Sequence, residues 1–137
     1  MCILVSSRLD ILEHSVKSVE QQNCKDVDYD IYIVVNTQDE YFFQEVLDKY
    51  KTKNRMSQIK VVRTESNGKP GKGHNSVINL FKNKVLYDFL IMLDGDDFLF
   101  PTALKKIDYI YRNQKSCDII LHVGQTIFRR DENDKIK

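Results

Sequence analysis

The chain has 137 residues, 42% of them hydrophobic, which is enough for one domain with a real core. Its 21 Lys and Arg against 20 Asp and Glu leave a formal net charge of +1, so no global field draws it to nucleic acid or to an anionic membrane. No apolar run approaches the roughly 20 residues that cross a bilayer, Met1 to Val5 is too short for a signal peptide, and Cys2, Cys24 and Cys117 have neither metal-type spacing nor the even count of a complete disulfide set; the composition reads as a cytoplasmic protein.

The elements alternate along the chain. Cys2-Ile3-Leu4-Val5 is a short apolar strand. Leu12, Val16 and Val19 then recur at helical spacing, with Ser15, Lys17, Ser18 and Glu20 on other faces. Ile31 to Val35 is a second buried strand, and Phe43, Val46, Leu47 and Tyr50 mark a second helix. Ile59 to Val62 is a third strand. Asn67 to Gly73 holds three of the five glycines and one of the two prolines, so it reads as a loop, with a helix following from about Asn75 to Asn83 on Val77, Leu80 and Phe81. Phe89 to Leu93, five apolar residues in a row, predicts a fourth strand buried on both faces. Pro101 suits the first turn of a helix striped by Leu104, Ile107 and Tyr111. Asp118 to Val123 reads as a fifth strand. The domain runs over 1–137, with a polar tail from about residue 125 and almost no apolar residue after Arg129. Such alternation predicts an α/β fold: a mostly parallel sheet in three α/β/α layers, binding its ligand beyond the carboxyl ends of the strands where strand order reverses.

The fourth strand runs into Asp94-Gly95-Asp96-Asp97. Carboxylates crowded there repel one another, and a bound cation relieves the repulsion. Oxygen ligands select Mg²⁺ or Mn²⁺, which commonly bring phosphates with them; the alternative is a solvated acidic turn. A calcium EF-hand would need a glutamate at the twelfth position, where the chain has Lys105. An aspartate-nucleophile phosphatase would place a small residue where Phe98 stands, and its motif near the chain start. A third reading is an Asp-x-Asp metal site that grips the diphosphate of a nucleotide-sugar. The charges are also locally sorted: Lys69 to Tyr87 holds four lysines and no acid, and Asp88 to Pro101 holds four aspartates and no base. Lys69 and Lys72 could neutralise a diphosphate or simply be solvated. Gly95, without a Cβ, permits a positive φ or close approach of backbone to ligand, while Gly71 and Gly73 read as turn residues.

Three collinear pieces carry a resemblance. They are Val5-Ser6-Ser7-Arg8 with Leu12 and Ser15 to Gln22, then Asn67-Gly68 through Gly73-His74-Asn75-Ser76, then Asp94 to Asp97 with Pro101 and Leu104. Their order and spacing, from about Cys2 to Gly124, resemble the nucleotide-sugar-binding portion of family 2 glycosyltransferases. The resemblance implies a GT-A fold, a nucleoside-diphosphate sugar donor, and Mg²⁺ or Mn²⁺ held by Asp96 first and Asp94 second. Asp94 is also expected at the ribose or a metal-bound water, and Asp97 behind them or at the next helix start. Ser6, Ser7, Arg8, Asn36, Lys72, His74, Asp94 and Gly95 are the expected nucleotide-sugar contacts. Asn36 stands near the family's base-binding aspartate, and its amide can both donate and accept. His74 stands where the family often has arginine, and reads equally as a solvent-facing residue.

The same resemblance puts the acceptor half and catalytic base after the matched segment, and Asp131, Glu132 and Asp134 read as part of a solvated tail. The expectation is a donor-binding domain whose full-length relatives perform inverting transfer to a glycan, lipid or protein acceptor. Three explanations stay open: a fragment, a reduced protein, or completion by a partner chain or oligomer. The alternative function is a non-catalytic nucleotide-binding or assembly domain that retains the fold.

Overall fold

The structure, a computed structural model, describes residues 1–51, 59–64, 66–82, 84 and 86–113. The expected fifth strand, the polar tail and Cys117 lie outside these residues. Eight elements follow in order: β1 (Cys2–Val5), α1 (Leu9–Glu20), β2 (Ile31–Val35), α2 (Glu40–Lys51), β3 (Ile59–Arg63), α3 (Pro70–Phe81), β4 (Met92–Asp94) and α4 (Ala103–Asn113). The four strands form one sheet in the order β3-β2-β1-β4, and every pairing is parallel.

The strand side chains alternate between two helical layers, as a period of two requires. Ile3, Val5, Ile31, Ile33, Val35 and Leu93 face Leu12, Val16 and Val19 of α1 and Val46 and Tyr50 of α2. Cys2, Leu4, Tyr32 and Val34 face the other way, onto Val77 of α3, with Phe81 and Tyr87 packed alongside. The central strands β1 and β2 are therefore buried on both faces, which is why they read as unbroken apolar runs. Burial in that layer pushes the Cys2 thiol up to about 12, so it is an inert core group. Among the described residues, no helix is long and apolar enough to cross a membrane.

Three expectations need correction. The fourth strand is Met92–Asp94, not Phe89 to Leu93, and only Leu93 of it is buried. It pairs with β1 on one side only among the described residues; Leu93 faces the α1 layer, while Met92, pointing to the other face, is 44% exposed. Phe89 instead packs edge-to-face on Tyr111 of α4, ring centroids 4.4 Å apart. The third helix starts at Pro70, five residues before the expected Asn75, because proline supplies the first helical position and needs no N–H partner there. Leu80, expected to face inward, is 37% exposed.

Gly71 and Gly73 are therefore helical, and they differ. A Cβ at Gly71 would meet nothing within 4 Å, whereas one at Gly73 would lie 2.5 Å from Asn36 Nδ2 and 2.9 Å from Leu4 Cδ2. Alanine gains up to about 1 kcal/mol of helix propensity over glycine, while overpacking costs about 1–3 kcal/mol. We expect Gly71→Ala to raise Tm and Gly73→Ala to lower it, a difference of about 2 kcal/mol measurable by chemical denaturation.

Candidate functional site

Strand order reverses between β1 and β4, and a cleft of about 430 Å³ opens there at the carboxyl ends of the strands. Ser6, Ser7 and Arg8 after β1, Asn36 after β2, Gly68 and Pro70 before and at the start of α3, and Asp94, Gly95 and Asp96 from β4 onward all line it. A second cavity, of about 590 Å³, lies at the opposite, amino-terminal ends of the strands, beside Met1, Asp30 and Ile91.

The acidic turn is held against β1. Gly95 N–H donates to the Leu4 carbonyl at 2.7 Å. A Cβ on Gly95 would come within 3.0 Å of that carbonyl and of Val5. The glycine thus permits a close approach to the protein's own backbone, and its φ is not in the left-handed region, which among the described glycines only Gly68 adopts. From behind, the Ser15 hydroxyl sits 2.8 Å from the Gly95 carbonyl and 2.5 Å from the Asp97 carbonyl. Leu99 N–H donates to Ser18 Oγ, and Gln22 bridges the Phe100 carbonyl and the Leu104 N–H, each at 2.9–3.0 Å. One face of α1, with Gln22 just past its end, therefore fastens residues 95–104. Ser15, expected on another face than the apolar stripe, is 1% exposed; its spacing of three from Leu12 and four from Val19 was the available signal.

Asn36 organises the opposite wall. It is 2% exposed, and its Oδ1 accepts from Ser66 Oγ at 2.5 Å, Thr64 Oγ1 at 3.2 Å and Gly68 N–H at 3.3 Å. Its Nδ2 donates to the Lys69 carbonyl at 3.4 Å. Asn67 and Gly68 both take positive φ, 46° and 72°, to bring the chain round into α3. The residue expected to read a base edge thus spends its amide on the turn that shapes the cleft. Thr64 and Ser66 were missed by sequence reasoning, because nothing local links them to Asn36, roughly thirty residues away, and so was Pro70 as a lining residue of the cleft.

Charge is unevenly placed. Asp94 and Asp96 line the cleft, and partial burial, with the charges of Asp96 and Asp94, raises the carboxyl pKa of Asp97. His74 Nε2 lies 2.9 Å from Asp94 Oδ1, so His74 reaches the site through Asp94 without lining the cleft. Lys72 is exposed on the first turn of α3 and does not line it either. Arg8 does, and its guanidinium pairs with Asp10, holding that carboxyl down at about 2.

No group of three or more His, Cys, Asp or Glu side chains converges as a closed metal cage among the described residues. Two carboxylates on one wall nevertheless fit a hard dication that takes its remaining oxygens from phosphates and water.

The family model for glycosyl transferase family 2 matches residues 2–135. Two crystal structures of S. aureus TarS resemble the chain. One, of residues 1–349, has a TM-score of 0.61 and the other 0.60; both are 20% identical over 81% of this chain. The likeness is one of fold, the GT-A α/β fold. The chain spans 31% and 19% of the length of those two proteins. No curated protein matches it.

Two measurements check the site's construction. Asp97 has a folded pKa above its unfolded value, so its charge opposes folding at neutral pH, and this penalty vanishes below the unfolded value. Asp97→Asn should raise Tm at pH 7.5, and the gain should shrink steadily as pH falls toward 4. Ser15→Ala removes the one hydroxyl donor that the Gly95 and Asp97 carbonyls share and should cost about 1–3 kcal/mol by chemical denaturation.

Proposed function

The chain belongs to glycosyl transferase family 2, and from that premise we propose that its cleft binds the nucleoside-diphosphate part of a sugar donor through a divalent cation, in the service of glycosyl transfer. The observation that carries the reading is the meeting of Asp94 and Asp96 with Ser6, Ser7 and Arg8 across the β1/β4 reversal. The two groups lie nearly ninety residues apart in sequence and share one cleft.

Each part has a role in this reading. Asp96, exposed at the tip of the acidic turn, is the principal ligand for Mg²⁺ or Mn²⁺. Asp94 contributes one oxygen to the cation or a ribose hydroxyl, while His74 holds the other side of the carboxylate. Such a cation, when bound, stabilises the charge that gathers on the leaving diphosphate as the glycosidic bond breaks. Ser6 and Ser7 precede the amino terminus of α1, whose backbone N–H groups favour an anion. The turn locked by Asn36 presents Gly68 and Pro70 as the wall against which the nucleoside lies. Gly95 and Ser15 hold the carboxylates at a fixed distance from that wall, so orientation is built before the ligand arrives.

Calorimetric titration with UDP, GDP and CDP, in Mn²⁺ and then in excess chelator, tests this directly. Binding of one of the three should weaken at least about tenfold on chelation, and Asp96→Asn should reproduce that loss without lowering Tm. Equal affinity with and without the metal would reject the cation bridge.

A further inference from the structure

We propose that Asp10 is a positioning residue that holds the Arg8 guanidinium at the cleft as its cationic contact to the donor's diphosphate; this rests on the donor-binding reading above. Charge balance comes first. Asp94 and Asp96 carry two negative charges into the cleft, and a bound dication cancels them, leaving the diphosphate uncompensated. Arg8 is the only basic side chain among the described residues that line the cleft. His74 is engaged with Asp94, and Lys69 and Lys72 stand exposed outside it.

The backbone supports the same choice. Arg8 sits at φ 68°, ψ 73°, the left-handed region, at the N-cap of α1, and makes no side-chain capping bond. Glycine adopts that conformation freely and an L side chain does not, while the residues that cap helices well are Ser, Thr, Asp and Asn. Neither conformation nor capping favours arginine at this position. Strained non-glycine residues concentrate where a side chain is needed for function.

Asp10 supplies the restraint. Arg8 Nε donates to Asp10 Oδ1 at 3.1 Å and Nη2 to Oδ2 at 3.0 Å, a bidentate pair on one edge of the guanidinium. The two side chains are 56% and 66% exposed, so the pair adds little to stability. What it removes is rotamer freedom that Arg8 would otherwise lose on meeting a phosphate. A purely structural Asp10 would serve only as an acid in the first turn of α1.

The test compares wild type, Arg8→Gly, Arg8→Lys and Asp10→Asn as purified 137-residue chains. Tm is measured together with calorimetric affinity for UDP, GDP and CDP in Mg²⁺ at two salt concentrations. Arg8→Gly should melt higher, by about 2–5 °C. It should nevertheless bind the preferred nucleoside diphosphate about tenfold or more weakly, with a shallower salt dependence. Asp10→Asn should weaken binding about threefold with Tm within about 1 °C of wild type, and Arg8→Lys should restore only part of the affinity. If wild type binds and both Arg8→Gly and Asp10→Asn bind equally well, the assignment is overturned while the donor-binding reading stands. A loss in Asp10→Asn that tracks a fall in Tm and leaves the salt dependence untouched would reduce Asp10 to a structural acid. Wild type binding none of the three would overturn the donor-binding reading itself, and this assignment with it.

Discussion

The cleft depends on one backbone contact, the Gly95 N–H against the Leu4 carbonyl, in a space that no side chain could share. β4 has only three residues and a single described neighbour. Its own ladder is too short to fix the turn that follows. The Gly95 bond extends the β1/β4 contact past the last residue of β4, and the Ser15 hydroxyl closes the same turn from the α1 side. Ser18 and Gln22 continue the fastening as far as α4, so a helix formed early in the chain becomes the bed for a loop some eighty residues later.

The opposite wall is built by different chemistry. Asn36 is buried at the end of β2, where an unpartnered amide would be costly, and every hydrogen bond its side chain makes ends on the segment from Thr64 to Lys69. Gly73 then lets α3 approach Asn36 and Leu4 closely. A buried polar hub of this kind fixes a single loop conformation because a partly satisfied arrangement is worse than none. The cleft thus has one wall held by backbone contact and another by side-chain saturation, with parallel strand ends bringing both to the same edge of the sheet.

Electrostatics shows how sequence neighbours part company in the fold. The basic stretch from Lys69 to Lys84 spans all of α3, so its lysines end up at opposite ends of the helix. Lys69 and Lys72 stay exposed near the cleft, whereas Lys84 lies about 5 Å over the rings of Tyr32 and Phe81. At that far end, Tyr32, Tyr87, Asp30 and Lys60 form a separate hydrogen-bonded cluster. The acidic stretch divides as well: Asp94 and Asp96 line the cleft, and Asp88 lines the cavity at the amino-terminal ends.

The layered α/β architecture was legible because its signals are local. Apolar runs of four or five residues mark β1 and β2, and the stripe of Leu12, Val16 and Val19 marks α1. The acidic turn was legible for the same reason, as was its place beyond a strand end, since composition changes abruptly at Asp94. The short exposed β4 was not, because burial depends on which elements lie against it and no window of sequence contains that information. Only the tertiary structure showed that Asn36 is consumed by its own loop, that Gly95 makes room for β1, that Ser15 is buried and that His74 reaches Asp94. Each of these joins residues twenty to ninety positions apart. Such contacts arise from strand register and the close packing of layers, which the chain acquires only when the sheet is assembled.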